Sequence, residues 1–549
     1  MFNLFKNPRL SWLSLIILTS FIGLSEFIYQ LTRPDVYQAI IIITWITTGF
    51  LLPIYIFKNH IRIYLLLLIP IFLTIPLNII YILSFANNVS MDLMLLFLNT
   101  NPQEISELAN QYYLILIPLY IVYGIILYLL CSNIPAKFSS KTALYISGVS
   151  LVLFLLCPFL DVKFIEEMNY YDTARTNFSN VYPTSMVKGF QRHLEVKRVI
   201  SETQTIRDNF KFQTKIDSTI TDKQVIILVV GESSRYSNWG INGYKRNTSP
   251  KLAKRENLIS FSNTVTGAYV TENAVPLILT GVGAPNFESH YKTQGIIGAF
   301  KEAGFDTYWL SNQPGDKGNI KVHAIEAEHL FNFMGDKTKD KDMDMLENFK
   351  KVMAMPGHRK FIVLHTMGSH FDYSDRYPDS YDYFMPSNKT IRTKVHDVKM
   401  KHVLVNSYDN SIRYSDAVLD TIISMTKSQN NFASVVYISD HGEDLLDDKN
   451  NFTYHINAMP PSRYIGHIPL FIWYSPQVEK KYPEKIVNLK LHKDAATSSQ
   501  NVIYTLTSLA GISYPKQFPE LNLASPGFKN NPQMLLGEAQ VLYSYSICK

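Results

Sequence analysis

The hydrophobic pattern divides the chain in two. Apolar residues crowd into the first 160 positions, where five stretches (residues 11–31, 37–57, 63–85, 112–131 and 143–160) run with few charges. A helix needs roughly 20 apolar residues to cross a hydrocarbon core about 30 Å thick, so each stretch predicts a transmembrane span. A cleaved signal peptide would account for the first stretch alone, and no small-residue cleavage site follows it. A buried helical core would require five unusually long apolar helices in succession, a poorer account of the pattern than insertion in a bilayer.

Lys and Arg collect in the loops on the cytoplasmic side of a membrane. Lys6 and Arg9 precede the first stretch, Lys58 and Arg62 separate the second from the third, and Lys137 and Lys141 separate the fourth from the fifth. The loop of residues 86–111 has neither Lys nor Arg and carries Asp92, Glu104 and Glu107, while Arg33 alone runs against the trend. The amino terminus is therefore expected inside, and five spans place everything after Leu160 outside. The expected location is a bacterial inner membrane, multi-pass, with the remainder of the chain in the periplasm.

Beyond residue 160 the pattern changes period. Residues 161–223 turn polar, with Asn169, Tyr170 and Tyr171 and the charged run Arg192 to Lys197, and read as a connector with interfacial amphipathic helices. From residue 224 to 549, short β-branched runs alternate with longer helical patterns, the signature of a mostly parallel sheet covered by helices on both faces. The clearest buried strands are residues 225–230, 361–364 and 434–438. The expected architecture is an N-terminal five-helix transmembrane bundle (1–160), the connector (161–223) and a C-terminal α/β domain (224–549).

Composition narrows this picture. The net charge of +6 over 549 residues is modest and forms no basic tail, which argues against a nucleic-acid partner. Of three cysteines, Cys131 and Cys157 fall in predicted spans, so Cys548 stands alone outside and has no partner for an intramolecular disulfide. Oligomeric state leaves no trace in the pattern.

Candidate chemistry gathers where the predicted strands end. Gly231-Glu232 follows the first, His365 through His370 the second, and Ser439-Asp440-His441-Gly442-Glu443 the third. Ligands in open α/β sheets bind beyond the carboxyl ends of the strands, so these separated segments can meet there. Asp440 and His441 can both ligate one zinc ion if the strand end turns sharply, and Gly442 is suited to such a turn. Each signal alone has an ordinary reading: a turn after a strand favours Asp and Gly anyway, Glu232 can be a plain strand-end carboxylate, and most histidines are structural. Thirteen of the 14 histidines lie after residue 160, and His365, His370 and His455 are the informative ones. Thr271, ahead of Glu272-Asn273-Ala274-Val275-Pro276, marks a helix start with Pro276 placed in the first turn. Taken alone, the more ordinary role for Thr271 is an N-cap; the alternative is a hydroxyl facing a phosphate at the helix amino terminus.

Several segments in order resemble the phosphoethanolamine transferases of the alkaline phosphatase and sulfatase superfamily. These are Val229-Val230-Gly231-Glu232-Ser233-Ser234-Arg235, Asn242-Gly243-Tyr244, Thr248-Ser249-Pro250, His365-Thr366-Met367-Gly368-Ser369-His370, Arg376-Tyr377-Pro378, Asn406-Ser407-Tyr408-Asp409-Asn410 and Ser439-Asp440-His441-Gly442-Glu443. The resemblance runs from about residue 225 to 512 and extends to the five preceding spans. It implies that Glu232, Thr271, Asp440 and His441 hold a catalytic Zn2+, with Thr271 both ligand and nucleophile. It also implies that His370 and His455 contact the transferred phosphate or a second zinc, and that Lys317 binds phosphate with help from Asn312 or Gln313. His365 and Glu443, carried in the same motifs, complete the substrate-binding candidates.

The implied donor is phosphatidylethanolamine, and the implied acceptor is lipopolysaccharide (lipid A or a core sugar) or another envelope glycan. Three positions depart from the family pattern: Ser233 where Thr is frequent, Ser387 in a region where cysteines are usual, and Gly267 with Leu277 where lipid A-modifying members commonly carry a disulfide. The alternatives are a glycerol-phosphate transferase of the lipoteichoic-acid-synthase type, a simple phosphatase or sulfatase, and a non-catalytic envelope scaffold.

Overall fold

The structure is a computed structural model. It describes residues 8–32, 36–85, 102–161, 170–171, 173–174, 178, 181–313, 318–332, 341–391, 397–447, 461–537 and 540–548. The chain separates into two compact units, Met1–Leu194 and Glu195–Lys549. The boundary falls inside a single helix, α1 (Thr184–Asp208), within the stretch expected to be a connector.

The first unit is helical. Among the described residues, three uninterrupted helices are long and apolar enough to cross a membrane: Val36–Phe57, Ile115–Asn133 and Ser140–Leu160. Two further spans are bent, Trp12–Ile22 with Leu24–Leu31 at 55° and Ile61–Leu67 with Ile69–Leu83 at 41°, giving five if each pair is one span. The bends fall within apolar stretches that the hydrophobic pattern reads as continuous, because a break in helical geometry leaves hydropathy untouched. Leu66, Leu67 and Tyr145 are exposed, as lipid-facing side chains must be, while Leu15, Ile42 and Ile75 pack inside the bundle. Polar side chains also bond between helices inside the bundle: Asn78 donates to Ser25 Oγ over 3.0 Å and Gln38 to Asp161 over 2.7 Å.

The second unit is built on seven strands: β1 (Gln224–Gly231), β2 (Leu258–Phe261), β3 (Asp306–Ser311), β4 (His329–Asn332), β5 (Arg359–His365), β6 (Phe432–Ser439) and β7 (Leu470–Tyr474). Their order across the sheet is β2-β7-β6-β1-β5-β3-β4. All pairings among β6, β1, β5, β3 and β4 are parallel, and β7 runs antiparallel to both β6 and β2. Every residue of β1 is buried because both faces are covered. Ile226, Leu228 and Val230 pack into one layer with Val275 and Ile278 of helix α2 (Thr271–Thr280). Val225, Ile227 and Val229 pack into the other with Met345 and Phe349 of α3 (Asp342–Ala354) and Tyr408 and Ile412 of α4 (Lys401–Lys427). The period of two along the strand thus separates two cores.

Register fixes the chemistry. Gly231 at the end of β1 lies opposite Ser439 on β6, and Val230 lies opposite His365 on β5. The next residue in each strand, Glu232, Asp440 and Thr366, is therefore delivered to the same carboxyl edge.

Candidate active site at the carboxyl edge of the sheet

Glu232, Asp440 and His441 are fully buried, and one ligand atom from each lies within 4.8 Å of the other two. His441 Nε2 stands 3.3 Å from Glu232 Oε1 and 3.2 Å from Asp440 Oδ2. Thr271 Oγ1 lies 3.2 Å from His441 Nε2 and 3.4 Å from each Glu232 oxygen. Four N and O ligands at 2.0–2.1 Å from a central ion define a tetrahedron with edges of roughly 3.3 Å, so these separations suit one zinc ion. The donor chemistry fits as well. Asp440 Oδ2 is buried and accepts no hydrogen bond among the described residues, while Asp440 Oδ1 takes the amides of Ser233 (3.0 Å) and His441 (2.7 Å). His441 Nδ1 lies 2.7 Å from the Gly442 carbonyl, which fixes the proton there and leaves Nε2 with its lone pair toward the cluster.

Electrostatics point the same way. Burial and the neighbouring Glu232 carboxylate push Asp440 up to about 7. Burial would depress His441, but the Asp440 and Glu232 carboxylates outweigh it and hold the imidazole at about 10. Two buried carboxylates thus demand a cation among them, and a metal ion can replace the proton. His370 is pushed below its ordinary value, chiefly by burial, with Arg376 and His441 adding to the effect against the opposing pull of Glu232. Its Nδ1 faces the Phe371 carbonyl at 2.7 Å, leaving Nε2 as a neutral acceptor.

Thr271 is the first residue of α2; the N-cap is Val270, whose side chain offers no capping hydrogen bond. Its hydroxyl is spent on the cluster rather than on its own helix amides. The helix starts early enough that Pro276 sits in the second turn, not the first as the sequence predicts. Proline there leaves the Glu272 carbonyl without its usual i+4 amide. Gly442 also plays a role different from the expected one: its φ is ordinary, and glycine is required because a Cβ would collide with the Tyr464 carbonyl oxygen.

The remaining candidates scatter. Gln313 joins the cluster directly, its Nε2 donating to Glu232 Oε2 (3.2 Å) and to the Thr366 carbonyl (2.8 Å). Asn312 instead donates to Asp342 over 2.9 Å. His365 is buried edge-on against Trp309, and Glu443 is buried, where desolvation, with Glu232 and Asp444 adding to it, raises its carboxyl well above the usual range. Lys317 and His455 lie outside the described residues.

Three groups that sequence reasoning missed support the cluster from behind. Ser233 Oγ donates to Glu232 Oε1 over 2.9 Å. Asp342 accepts the amides of Met367 (2.8 Å) and Gly368 (2.9 Å), holding the turn whose Ser369 amide bonds the Glu232 carbonyl at 2.9 Å. In the sequence Asp342 is hidden within Lys339-Asp340-Lys341-Asp342-Met343-Asp344, which reads as a solvated charge run. Arg235 spans the other side: its guanidinium bonds Asn238 and Asp447 and stacks 4.4 Å from the Tyr464 ring.

A parallel sheet with an acid, an imidazole and a helix-start threonine converging at its carboxyl edge defines a class, and the sulfatase family description matches residues 224–512. The chain belongs to the sulfatase family. Within it, similarity runs to phosphoethanolamine transferases. Phosphoethanolamine transferase EptC of Escherichia coli (strain K12) is 24% identical over 505 residues, covering 88% of this chain and 86% of that protein. The crystal structure of the C-terminal periplasmic domain of EcEptC from Escherichia coli in complex with Zn superposes with a TM-score of 0.55 at 26% identity, covering 61% of this chain and 96% of that one. The integral membrane protein lipooligosaccharide phosphoethanolamine transferase A (EptA) from Neisseria meningitidis shares the fold across both units, with a TM-score of 0.74 at 19% identity over 93% of this chain and 98% of that one.

Proposed function

We propose that this protein is a membrane-anchored, zinc-dependent transferase that moves phosphoethanolamine from phosphatidylethanolamine to a cell-envelope acceptor, lipid A or a core sugar of lipopolysaccharide. The observation that carries this reading is the cluster of Glu232, Asp440, His441 and the Thr271 hydroxyl, in which four pairs of ligand atoms stand 3.2–3.4 Å apart. The names of the relatives supply the transferred group and point to the envelope. The proposed topology puts the amino terminus in the cytoplasm of a bacterial cell and the catalytic unit in the periplasm, at the inner membrane.

A zinc ion held by Glu232, Thr271, Asp440 and His441 would make the threonine hydroxyl acidic enough to react and offset charge on the phosphoryl oxygens. The Thr271 oxygen forms a bond to phosphorus as the bond from phosphorus to the diacylglycerol oxygen breaks. The hydroxyl proton passes through a neutral imidazole to that leaving oxygen. The acceptor hydroxyl then attacks the phosphothreonine, its proton goes to the imidazole, and Thr271 recovers one as the Thr-phosphate bond breaks. His370, neutral and held by its Nδ1 contact, is the proposed proton carrier, with His455 as the second candidate. Lys317 is assigned to the phosphoryl oxygens. Gln313 keeps Glu232 oriented, and a membrane anchor keeps the site in reach of a donor that stays in the bilayer.

Incubating the purified protein with phosphatidylethanolamine and mapping peptides by mass spectrometry should find phosphoethanolamine on Thr271. Active enzyme that never carries the adduct rules out the covalent route. Comparing envelope glycolipids with and without the gene identifies the acceptor.

A further inference from the structure

The segment Asn406-Ser407-Tyr408-Asp409-Asn410 is wholly buried although every side chain in it is polar, and no step of the chemistry above uses it. Three of its residues tie down one segment, 383–388, and the other two reach the segment that follows β1. Asn406 donates to the Pro386 carbonyl, Ser407 accepts the Asn388 amide, Asp409 accepts from Asn238, Tyr244 and Arg246, and Asn410 accepts the amides of Tyr383 and Phe384. Tyr408 alone reaches the turn that presents a candidate metal ligand. Its hydroxyl donates to the Ser233 carbonyl over 2.7 Å and accepts the Arg235 amide over 2.9 Å.

That turn is held in an unfavourable shape. Ser233 has a φ of 54°, in the left-handed region where a Cβ crowds the backbone. This conformation lets the Ser233 amide reach Asp440 Oδ1 (3.0 Å) while its hydroxyl reaches Glu232 Oε1 (2.9 Å). One residue thus aligns two candidate ligands contributed by different strands. The Ser234 amide is tied to Ser439 Oγ at 2.9 Å, so Tyr408 closes the remaining two polar groups of the turn from the helix side. Without its hydroxyl, a buried carbonyl and a buried amide lose their partner, and the turn can relax toward the right-handed region.

We propose that Tyr408 is a positioning residue for the metal centre, acting through the Ser233 turn to hold Glu232 and Asp440 at ligand spacing. The inference rests on reading Glu232, Asp440, His441 and Thr271 as a zinc site. Its neighbour Tyr373 supplies the control. The two rings meet edge-on at 5.0 Å and both are fully buried, but the Tyr373 hydroxyl makes no hydrogen bond among the described residues.

The experiment is zinc affinity by chelator competition on the purified full-length protein, wild type against Tyr408→Phe and Tyr373→Phe, with each variant's melting temperature recorded. Tyr408→Phe should weaken zinc binding about 10- to 100-fold, the range usual for groups that support metal ligands. Its transferase activity should fall at limiting zinc and recover in excess zinc, because the fault lies in ligand spacing rather than in the chemistry. Tyr373→Phe should bind zinc as wild type does. Wild-type affinity in Tyr408→Phe, or an equal loss in both variants, overturns the proposal. A wild-type protein that takes up no zinc overturns the metal-centre reading itself, and this inference with it.

Discussion

The helical unit and the carboxyl edge of the sheet are stabilised by opposite kinds of interaction. In the first unit, side chains such as Leu66 and Leu67 face outward with more than half their surface exposed, and Leu15 and Ile42 pack inward. Apolar burial has no direction, so such a surface needs residues of a kind rather than particular residues. At the sheet edge, Glu232, Ser233, Asp342, Tyr408, Asp440 and His441 are all buried and polar. Each hydrogen bond there specifies an angle and a partner, and removing one partner strands the other. The lesson is that tolerance to substitution should drop sharply between the two regions, although burial alone does not distinguish them.

The largest break in this contrast is expected at the proposed nucleophile. Thr271→Ala should lower transfer by roughly four orders of magnitude or more, the scale on which removing a nucleophile acts, while circular dichroism stays unchanged. Near-normal turnover by this variant would move the nucleophile elsewhere.

A smaller effect with the opposite sign concerns Gly267 and Leu277, the pair standing where a disulfide is expected in lipid A-modifying relatives. A Cβ built on Gly267 would lie 3.5 Å from Leu277 Cβ and 2.8 Å from Leu277 Cδ1. Cβ atoms of a disulfide sit about 3.5–4.5 Å apart, so the backbone here retains that spacing and the leucine fills the gap. The double variant Gly267→Cys with Leu277→Cys should oxidise spontaneously. Closing this short loop should raise the unfolding free energy by roughly 3 kcal/mol, read from melting with and without reductant. Failure to form the bond would show that the leucine contact has reshaped the segment.

Gly368 sharpens the comparison within the site. It has a φ of 48°, and a Cβ there would lie 2.7 Å from the Glu232 carbonyl oxygen. Gly368→Ala should cost about 1–3 kcal/mol of stability and weaken zinc binding in parallel. A loss of stability with intact zinc affinity would detach this turn from the proposed metal centre. The smallest effect belongs to the first unit: Leu66→Ile should change the melting temperature in detergent negligibly, within about 0.5 kcal/mol. A large shift there would mean that this outward face is an interface.

Much of the fold was legible in the chain itself. Five apolar stretches and three β-branched runs carry their structure in local composition, because hydropathy and side-chain period report burial without knowledge of neighbours. The meeting of Glu232, Asp440 and His441 was legible for a related reason: they come within two residues of strand ends, and adjacent parallel strands deliver their carboxyl ends to one edge. Thr271 needed the ordered motifs around it, since a threonine at a helix start has an ordinary role that its own segment does not exclude.

What the tertiary structure alone decided are the contacts between residues distant in sequence. Gln313 bonds Glu232, Asn312 bonds Asp342, and Asp342 leaves a run of charges to hold the Gly368 turn. Tyr408 lies 175 positions from the Ser233 carbonyl it bonds. Hydrogen bonds depend on distances of a few tenths of an ångström and on angle, and neither is encoded in residue type or local period. The amino-acid sequence by itself determined which elements form and which residues could act. Only the folding of those elements onto one another determined which residues come together.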